Sequence, residues 1–172
     1  MGICEGLPIM IAEGAKVLIL GSMPGKESLE KGQYYVNKNN QLWLIIFTVL
    51  GIPEPPREYM ERVKCLTNNG IALWDVLATC EREGSLDSAI KKDVPNDFTK
   101  LFSNYPTIRL VIFNGTKAKG LWRKYILLDP NNNLDFITLP STSPTPGKNV
   151  KRVDEKIKQW MFIKEYLREH RT

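Results

Sequence analysis

Short apolar runs that end in polar turns recur along the chain. Three clear runs lie at residues 16–21, 109–115 and 135–141, and a shorter one lies at residues 71–76. Continuous apolar runs of this length are typical of strands that are buried on both faces of a parallel sheet. We therefore predict four strands, each of which feeds a loop at its carboxyl end.

Helical periodicity fills the segments between these runs. We predict helices at residues 40–50, 57–66, 97–103, 117–125 and 150–167. The last is the longest, because one apolar stripe continues from Val153 to Leu167. Alternation of strands and helices predicts an α/β fold with a parallel sheet that is covered on both faces.

Ligands of such folds bind beyond the carboxyl ends of the strands. The three clear strands end in the loops at residues 21–25, 114–117 and 140–144. If the strands are adjacent, these loops converge on one crevice. Functional residues are therefore expected in these three segments.

The composition fits a single globular domain over residues 1–172, of which 42% are hydrophobic. No apolar run approaches the ~18–20 residues that span a bilayer, and no basic residue precedes the first apolar stretch. We expect a protein that is not secreted, has no membrane segment and is cytoplasmic or nucleoid-associated. It is expected to be a monomer, since no heptad seam is sustained.

The charged and metal-ligating residues narrow the chemistry further. A net charge of +5 and a pI near 9.1 favour a polyanionic partner such as nucleic acid. The three cysteines have no CxxC spacing, and the one histidine, His170, is two residues from the end. This excludes a histidine-rich zinc site, and it excludes a Ser-His-Asp or Cys-His enzyme unless the tail supplies the base.

The first loop, Gly-Ser-Met-Pro-Gly at residues 21–25, allows backbone N–H groups to approach a ligand closely. It matches neither the dinucleotide fingerprint GxGxxG nor the phosphate-binding GxxxxGK[ST] motif. An ordinary turn from strand to helix is the alternative interpretation.

A polar, aromatic segment follows at residues 33–43. Tyr34 and Tyr35 precede three asparagines, among them Asn39 and Asn40. An aromatic ring can stack on a base that has left the helix, and an asparagine can orient a water molecule. Alternatively, Asn39 or Asn40 caps the next helix and the tyrosines pack beneath it.

Taken together, these motifs resemble the uracil-DNA glycosylase superfamily, and most closely its hypoxanthine-DNA (deoxyinosine) glycosylase branch. The resemblance runs in collinear order from about Val17 to Pro144. It is carried by GSMPG with Ser28, by QYY with Asn-x-apolar-Trp, by IALWDVL, by REGSLDSAI, by FNG with Ala118, and by LPSTSP. Each motif alone is weak, whereas six in this order are specific.

The resemblance implies a three-layer α/β/α fold with a central, mostly parallel four-stranded sheet, with which the alternation of strands and helices agrees. It also implies hydrolysis of an N-glycosidic bond without metal or cofactor. Several branches place an acid or asparagine where Met23 stands, and others a histidine where Leu139 stands. In the hypoxanthine branch an asparagine after QYY takes over, which selects Asn40 here, with Asn39 as the alternative. Lys38 and Leu42 stand where relatives usually have proline and phenylalanine, and this departure bears on the choice between Asn40 and Asn39.

The remaining site residues follow from the same resemblance. Contacts with the base are expected from Ser22, Met23, Tyr34 or Tyr35, and Asn114. Contacts with DNA are expected from Gly25, Ser141, Thr142, Ser143 and Lys148. The expected substrate is double-stranded or single-stranded DNA that contains a deaminated base, hypoxanthine first. The alternatives are a uracil- or xanthine-DNA glycosylase and a module that binds damaged nucleic acid with little or no cleavage.

Overall fold

The structure, a computed structural model, describes residues 2–128, 132–144 and 150–168. The strands are β1 (Ile3–Glu5), β2 (Val17–Gly21), β3 (Ile71–Asp75), β4 (Leu77–Glu81), β5 (Lys91–Pro95), β6 (Leu110–Asn114) and β7 (Asp135–Leu139). The helices are α1 (Lys26–Lys31), α2 (Leu42–Val49), α3 (Tyr59–Asn68), α4 (Phe98–Asn104), α5 (Thr116–Tyr125), α6 (Val153–Trp160) and α7 (Ile163–Arg168).

The central sheet has four parallel strands in the order β3-β2-β6-β7. Its members are the four predicted strands, and the sequence placed their starts and ends to within about two residues. Because the two inner strands are β2 and β6, the loops that follow them are neighbours in space. The predicted convergence of the three loops at one end of the sheet is therefore confirmed.

Alternate residues of the strands pack on opposite faces of this sheet. Val17 and Ile19 belong to a core under α2, α3, α6 and α7, whereas Leu18 and Leu20 belong to a second core under α4 and α5. All four side chains are fully buried. Two cores on one sheet give the predicted three-layer α/β/α arrangement. None of the helices in the described ranges is long and apolar enough to cross a membrane.

A second, antiparallel sheet of three strands was not predicted. Its order is β1-β4-β5. The strand β4 begins two residues after β3 ends, so the apolar pattern does not separate the two strands. The strand β5 is largely exposed and rich in lysine, and therefore lacks the apolar alternation that marks a strand.

Two helices also differ from the prediction. The short helix α1 was not predicted, and the pattern at residues 150–167 is divided into α6 and α7 by a turn at Met161 and Phe162. The apolar stripe continues through the turn, with Trp160 and Ile163 both buried. Periodicity therefore gave the buried face correctly and missed the break.

Candidate active site

The carboxyl ends of three central strands bring Asp75, Gly21 and Asn114 into one row. The register pairs Gly21 with Asp75, and Asn114 lies one position beyond the pair of Leu20 with Phe113. Because side chains alternate along a strand, all three residues belong to the face that α2 covers. We call these three residues the terminal row. Because Gly21 has no side chain, the middle of the row is open between the Asp75 carboxyl group and the Asn114 amide.

The hydroxyl of Tyr35 lies over the open position. A Cβ atom at Gly21 would be 3.3 Å from this hydroxyl and less than 3.0 Å from Asp75 Oδ1. Asn114 Nδ2 donates a hydrogen bond to the Tyr35 hydroxyl at 3.3 Å. The half-buried Tyr35 has a φ of 54°, a left-handed conformation that costs a non-glycine residue about 1–3 kcal/mol and that recurs at functional sites.

Tyr34 is placed elsewhere, in the core. Its side chain is only 2% exposed, and its hydroxyl lies 3.0 Å from the carbonyl oxygens of both Leu7 and Pro8. Of the two tyrosines proposed to stack on a base, the structure therefore brings only Tyr35 to the crevice. The prediction that the tyrosines pack beneath the segment holds for Tyr34.

Asn114 and Thr142 join the ends of β6 and β7. Asn114 Nδ2 donates to Thr142 Oγ1, and Asn114 Oδ1 accepts from the Thr142 backbone N–H, both at 2.9 Å. Thr142 is fully buried, and its carbonyl oxygen accepts from the N–H of Gln41 at 3.0 Å. These bonds hold the Thr142 side chain inside the protein, away from solvent. The phosphate contact predicted for Thr142 would need this side chain to be exposed.

The predicted water-binding asparagines lie at the start of α2. Asn40 Oδ1 accepts from the N–H of Leu42, the first residue of the helix, at 2.9 Å. The capping position is Gln41, whose side chain makes no capping bond, so the alternative in which Asn39 or Asn40 caps the helix is not found. Asn39 is exposed, and its N–H donates to Asn37 Oδ1. Gln41 fixes this segment, because Gln41 Oε1 accepts from the buried Lys156 Nζ at 2.8 Å.

The first loop is held from below by the segment at residues 82–87. Ser22 Oγ donates to Asp87 Oδ1 at 2.5 Å, and the Lys26 N–H donates to Ser85 Oγ at 2.8 Å. Arg82 Nη2 donates to the carbonyl oxygen of Pro24. Ser22 is nearly buried, so its side chain supports the loop. Gly25 is half-buried at the start of α1.

The hydroxyl groups proposed to grip phosphates differ in exposure. Ser141 is exposed, and its Oγ accepts from the N–H of Ser143, which is half-buried. Ser141 packs closely on Gly115 at the end of β6, since a Cβ at Gly115 would lie 3.0 Å from Ser141 Cβ. Lys148 lies outside the described residues.

Asp75 is the feature of the site that sequence reasoning missed. It is buried, and its Oδ2 atom has no hydrogen-bond partner among the described residues. Burial raises the pKa of Asp75 to about 7, an effect that the negative charge of Asp87 reinforces and the Arg82 guanidinium opposes. The only signal in the sequence was a carboxyl residue at a strand end, and the sequence does not give the register that sets it beside Gly21.

A family model described as the uracil DNA glycosylase superfamily matches residues 8–165. The chain belongs to this superfamily. Two curated relatives are named hypoxanthine DNA glycosylase: one from Methanosarcina acetivorans is 41% identical and one from Methanosarcina barkeri is 39% identical, each over 114 residues. Each match spans 66% of this chain and 72% of the relative.

A solved structure agrees with this assignment over almost the whole chain. The solution NMR structure of a candidate uracil DNA glycosylase from Methanosarcina acetivorans superposes with a TM-score of 0.76 at 33% identity, covering 96% of this chain and 99% of the other. The predicted fold and the resemblance that carried it are thereby confirmed.

This member of the uracil DNA glycosylase superfamily has apolar residues where other branches were expected to carry an acid or a histidine. Met23 and Leu139 are both buried, with exposures of 6% and 4%. The described residues include no group of three or more potential ligands that could hold a metal ion. The site is therefore built from amide, hydroxyl and backbone groups, with Asp75 and Asp87 as the carboxyl groups set behind them.

Proposed function

We propose that the protein is a monofunctional DNA glycosylase of base excision repair that hydrolyses the N-glycosidic bond of a deaminated base, hypoxanthine first. Superfamily membership and the names of the two curated relatives support this proposal. The observation that carries it is the hydrogen-bonded group of Tyr35, Asn114 and Thr142, which joins three loops around one crevice.

The base is recognised between Tyr35 and Asn114, beside Ser22 and Met23. The ring of Tyr35 stacks on the base once the base has left the duplex. Asn114 Oδ1 accepts one bond from Thr142, and a carbonyl oxygen has a second lone pair. That lone pair accepts from the ring N–H that deamination creates in hypoxanthine. Adenine has a lone pair at the same position, so the same oxygen rejects it.

Hydrolysis proceeds with bond breaking ahead of water attack. The sugar becomes oxocarbenium-like, and the base leaves as an anion. Backbone N–H groups at residues 22–25 stabilise this anion, where one preorganised donor is worth about 3 kcal/mol of barrier. Asn40, or Asn39 beside it, holds the attacking water below the sugar. Such a route needs no strong base, which suits a site where Met23 replaces an acid.

DNA is held by the rims of the same loops. Ser141, Ser143 and the backbone at Gly25 contact phosphates, and Lys148 adds a positive charge. The buried Thr142 contributes by holding this loop against Gln41. Because phosphate contacts release counterions, affinity falls with added salt.

The test uses end-labelled duplexes that each carry one inosine, uracil or xanthine, followed by alkali to cleave abasic sites. We expect strand cleavage at inosine under excess enzyme, and a large loss of rate for Asn40→Ala. Asn39→Ala is the matched control, because its side chain lies one residue away in the same loop. Equal losses in both variants, or a loss only in Asn39→Ala, reassign the water-binding role without removing the function.

A binding module without catalysis is the second candidate, and the buried Met23 and Leu139 favour it. Gel-shift titration with the same duplexes separates the two. Tight binding of the inosine duplex with no cleavage of any duplex supports the module and refutes the glycosylase. Cleavage of uracil or xanthine in place of inosine keeps the reaction and changes the substrate.

A further inference from the structure

The terminal row contains a carboxyl group for which the proposed reaction has no use. Asp75 is 4% exposed, and Oδ2 has no partner among the described residues. An unpaired buried polar atom costs about 1–3 kcal/mol, so its presence needs a reason. Fold stability is not that reason, since an apolar residue at this strand end would avoid the cost.

The geometry connects Asp75 to Tyr35 through the missing side chain of Gly21. A Cβ of residue 21 would be in contact with both groups, since it would lie less than 3.0 Å from Asp75 Oδ1 and 3.3 Å from the Tyr35 hydroxyl. The hydroxyl accepts from Asn114 Nδ2, so its own proton is available for donation, and Asp75 lies on the other side of Gly21 from Asn114. The left-handed backbone conformation of Tyr35 costs free energy, so contacts of its ring must hold the residue in this conformation.

The charges around Asp75 allow it to exchange a proton near neutral pH. Asp87, on the turn after β4, disfavours the ionised form, and Arg82, at the end of β4, favours it. Tyr34 and Tyr35 face it from the loop before α2, and the negative charge of Asp75 adds to burial in raising the pKa of both tyrosines. Burial with these opposed charges brings the pKa of Asp75 to about 7.

We propose that Asp75 is a positioning residue for Tyr35: as a carboxylate it accepts the hydroxyl proton and fixes the ring for stacking, and as a carboxylic acid it releases the ring. The proposal rests on the proposed function, because Tyr35 is the residue that stacks on the base there. The proposal adds to that function a carboxyl group, Asp75, whose protonation controls the position of the Tyr35 ring.

The first experiment needs no DNA. The protein is labelled with ¹³C-tyrosine, the Tyr35 ring signal is assigned with Tyr35→Phe, and NMR spectra are recorded from pH 5.5 to 8.5. We expect the Tyr35 signal to titrate with a midpoint near 7, to stop titrating in Asp75→Asn, and to titrate at lower pH in Asp87→Asn, which removes a repelling charge. The exposed Glu61→Gln is the matched control and leaves the midpoint in place.

The second experiment measures single-turnover cleavage of the inosine duplex over the same pH range. The wild-type rate is expected to rise about tenfold from pH 6 to pH 8, as expected for one group with a pKa near 7. Asp75→Asn should stay at the low-pH rate throughout, and the double variant with Tyr35→Phe should lose no more than Tyr35→Phe alone.

A Tyr35 signal that titrates equally in wild type and Asp75→Asn overturns the proposal. So does an Asp75→Asn variant that keeps the wild-type rise in rate. A wild-type protein that cleaves no duplex refutes the proposed function instead, and the NMR titration then still decides whether Asp75 positions Tyr35.

Discussion

Gly21→Ala tests the packing of the terminal row directly. The added Cβ would lie less than 3.0 Å from Asp75 Oδ1 and 3.3 Å from the Tyr35 hydroxyl. Asp75 is a short, buried side chain at the end of β3, so it has little room to withdraw. Overpacking of this kind costs about 1–3 kcal/mol.

A second effect of the substitution opposes this cost. The φ of Gly21 lies outside the left-handed region, so alanine fits the backbone and lowers the entropy of the unfolded chain. That gain is about 0.4–1 kcal/mol. The net loss in free energy of unfolding is therefore about 1–2 kcal/mol, and each kcal/mol lowers the melting temperature by about 2–4 °C in a domain of this size.

Urea unfolding measures the loss, and a double-mutant cycle assigns its cause. In an Asp75→Ala background the carboxyl group is gone, so Gly21→Ala should cost less than about 0.5 kcal/mol, the limit within which independent sites add. Gly120→Ala on α5 is the control: nothing lies within 4 Å of its Cβ, and we expect a gain of about 0.5–1 kcal/mol.

Two results would refute this reasoning. Gly21→Ala could unfold at the wild-type urea concentration, which would mean that the row has space for a methyl group. It could also lose the same free energy with and without the Asp75 carboxyl group, which would place the clash elsewhere.

Three further predictions concern buried polar groups. The pKa of Asp75 is higher in the folded protein than in the unfolded chain, so the wild-type free energy of unfolding falls as pH rises toward 7. Urea unfolding should show a fall of about 3 kcal/mol between pH 5 and 8 in wild type, and Asp75→Asn should not show it. Thr142→Val should cost about 1–3 kcal/mol by the same measurement, because Asn114 Nδ2 loses its 2.9 Å partner. Burial lowers the pKa of Lys156, so thermal melting should show wild type gaining stability as pH rises toward 10.5, and Lys156→Met should lose that gain.

The parts of the fold that sequence predicted are those set by local patterns. Of the four strands of the central sheet, β2, β3 and β6 are continuous apolar runs with both faces buried, so the run alone marks them, whereas β7 is partly exposed. The loops at their ends followed from the parallel arrangement. The antiparallel sheet was not predicted, because β5 carries exposed lysines. The break between α6 and α7 was not predicted, because the apolar stripe around Trp160 continues through it.

The details of the site depend on information that a local pattern does not contain. Tyr34 and Tyr35 are adjacent and chemically identical, yet Tyr34 is buried in the core, whereas Tyr35, which has a positive φ, reaches Asn114 at the crevice. Thr142 lies between two serines, yet it alone is fully buried, because its bonds reach Asn114 and Gln41 from other parts of the chain.

The register of the sheet gives the candidate site a carboxyl group, although the acid and the histidine expected of other branches are absent from it. Glycine at position 21 opens a space that is bounded by Asp75 and Asn114, and Tyr35 enters that space from a distant loop. Met23 and Leu139, by contrast, are withdrawn into the two cores. In our proposal the titrating group, Asp75, therefore acts on the base only through Tyr35. The pH dependence of cleavage then reports the orientation of the Tyr35 ring, because the side-chain amide of Asn40, the proposed water-binding residue, has no proton to lose in the same range.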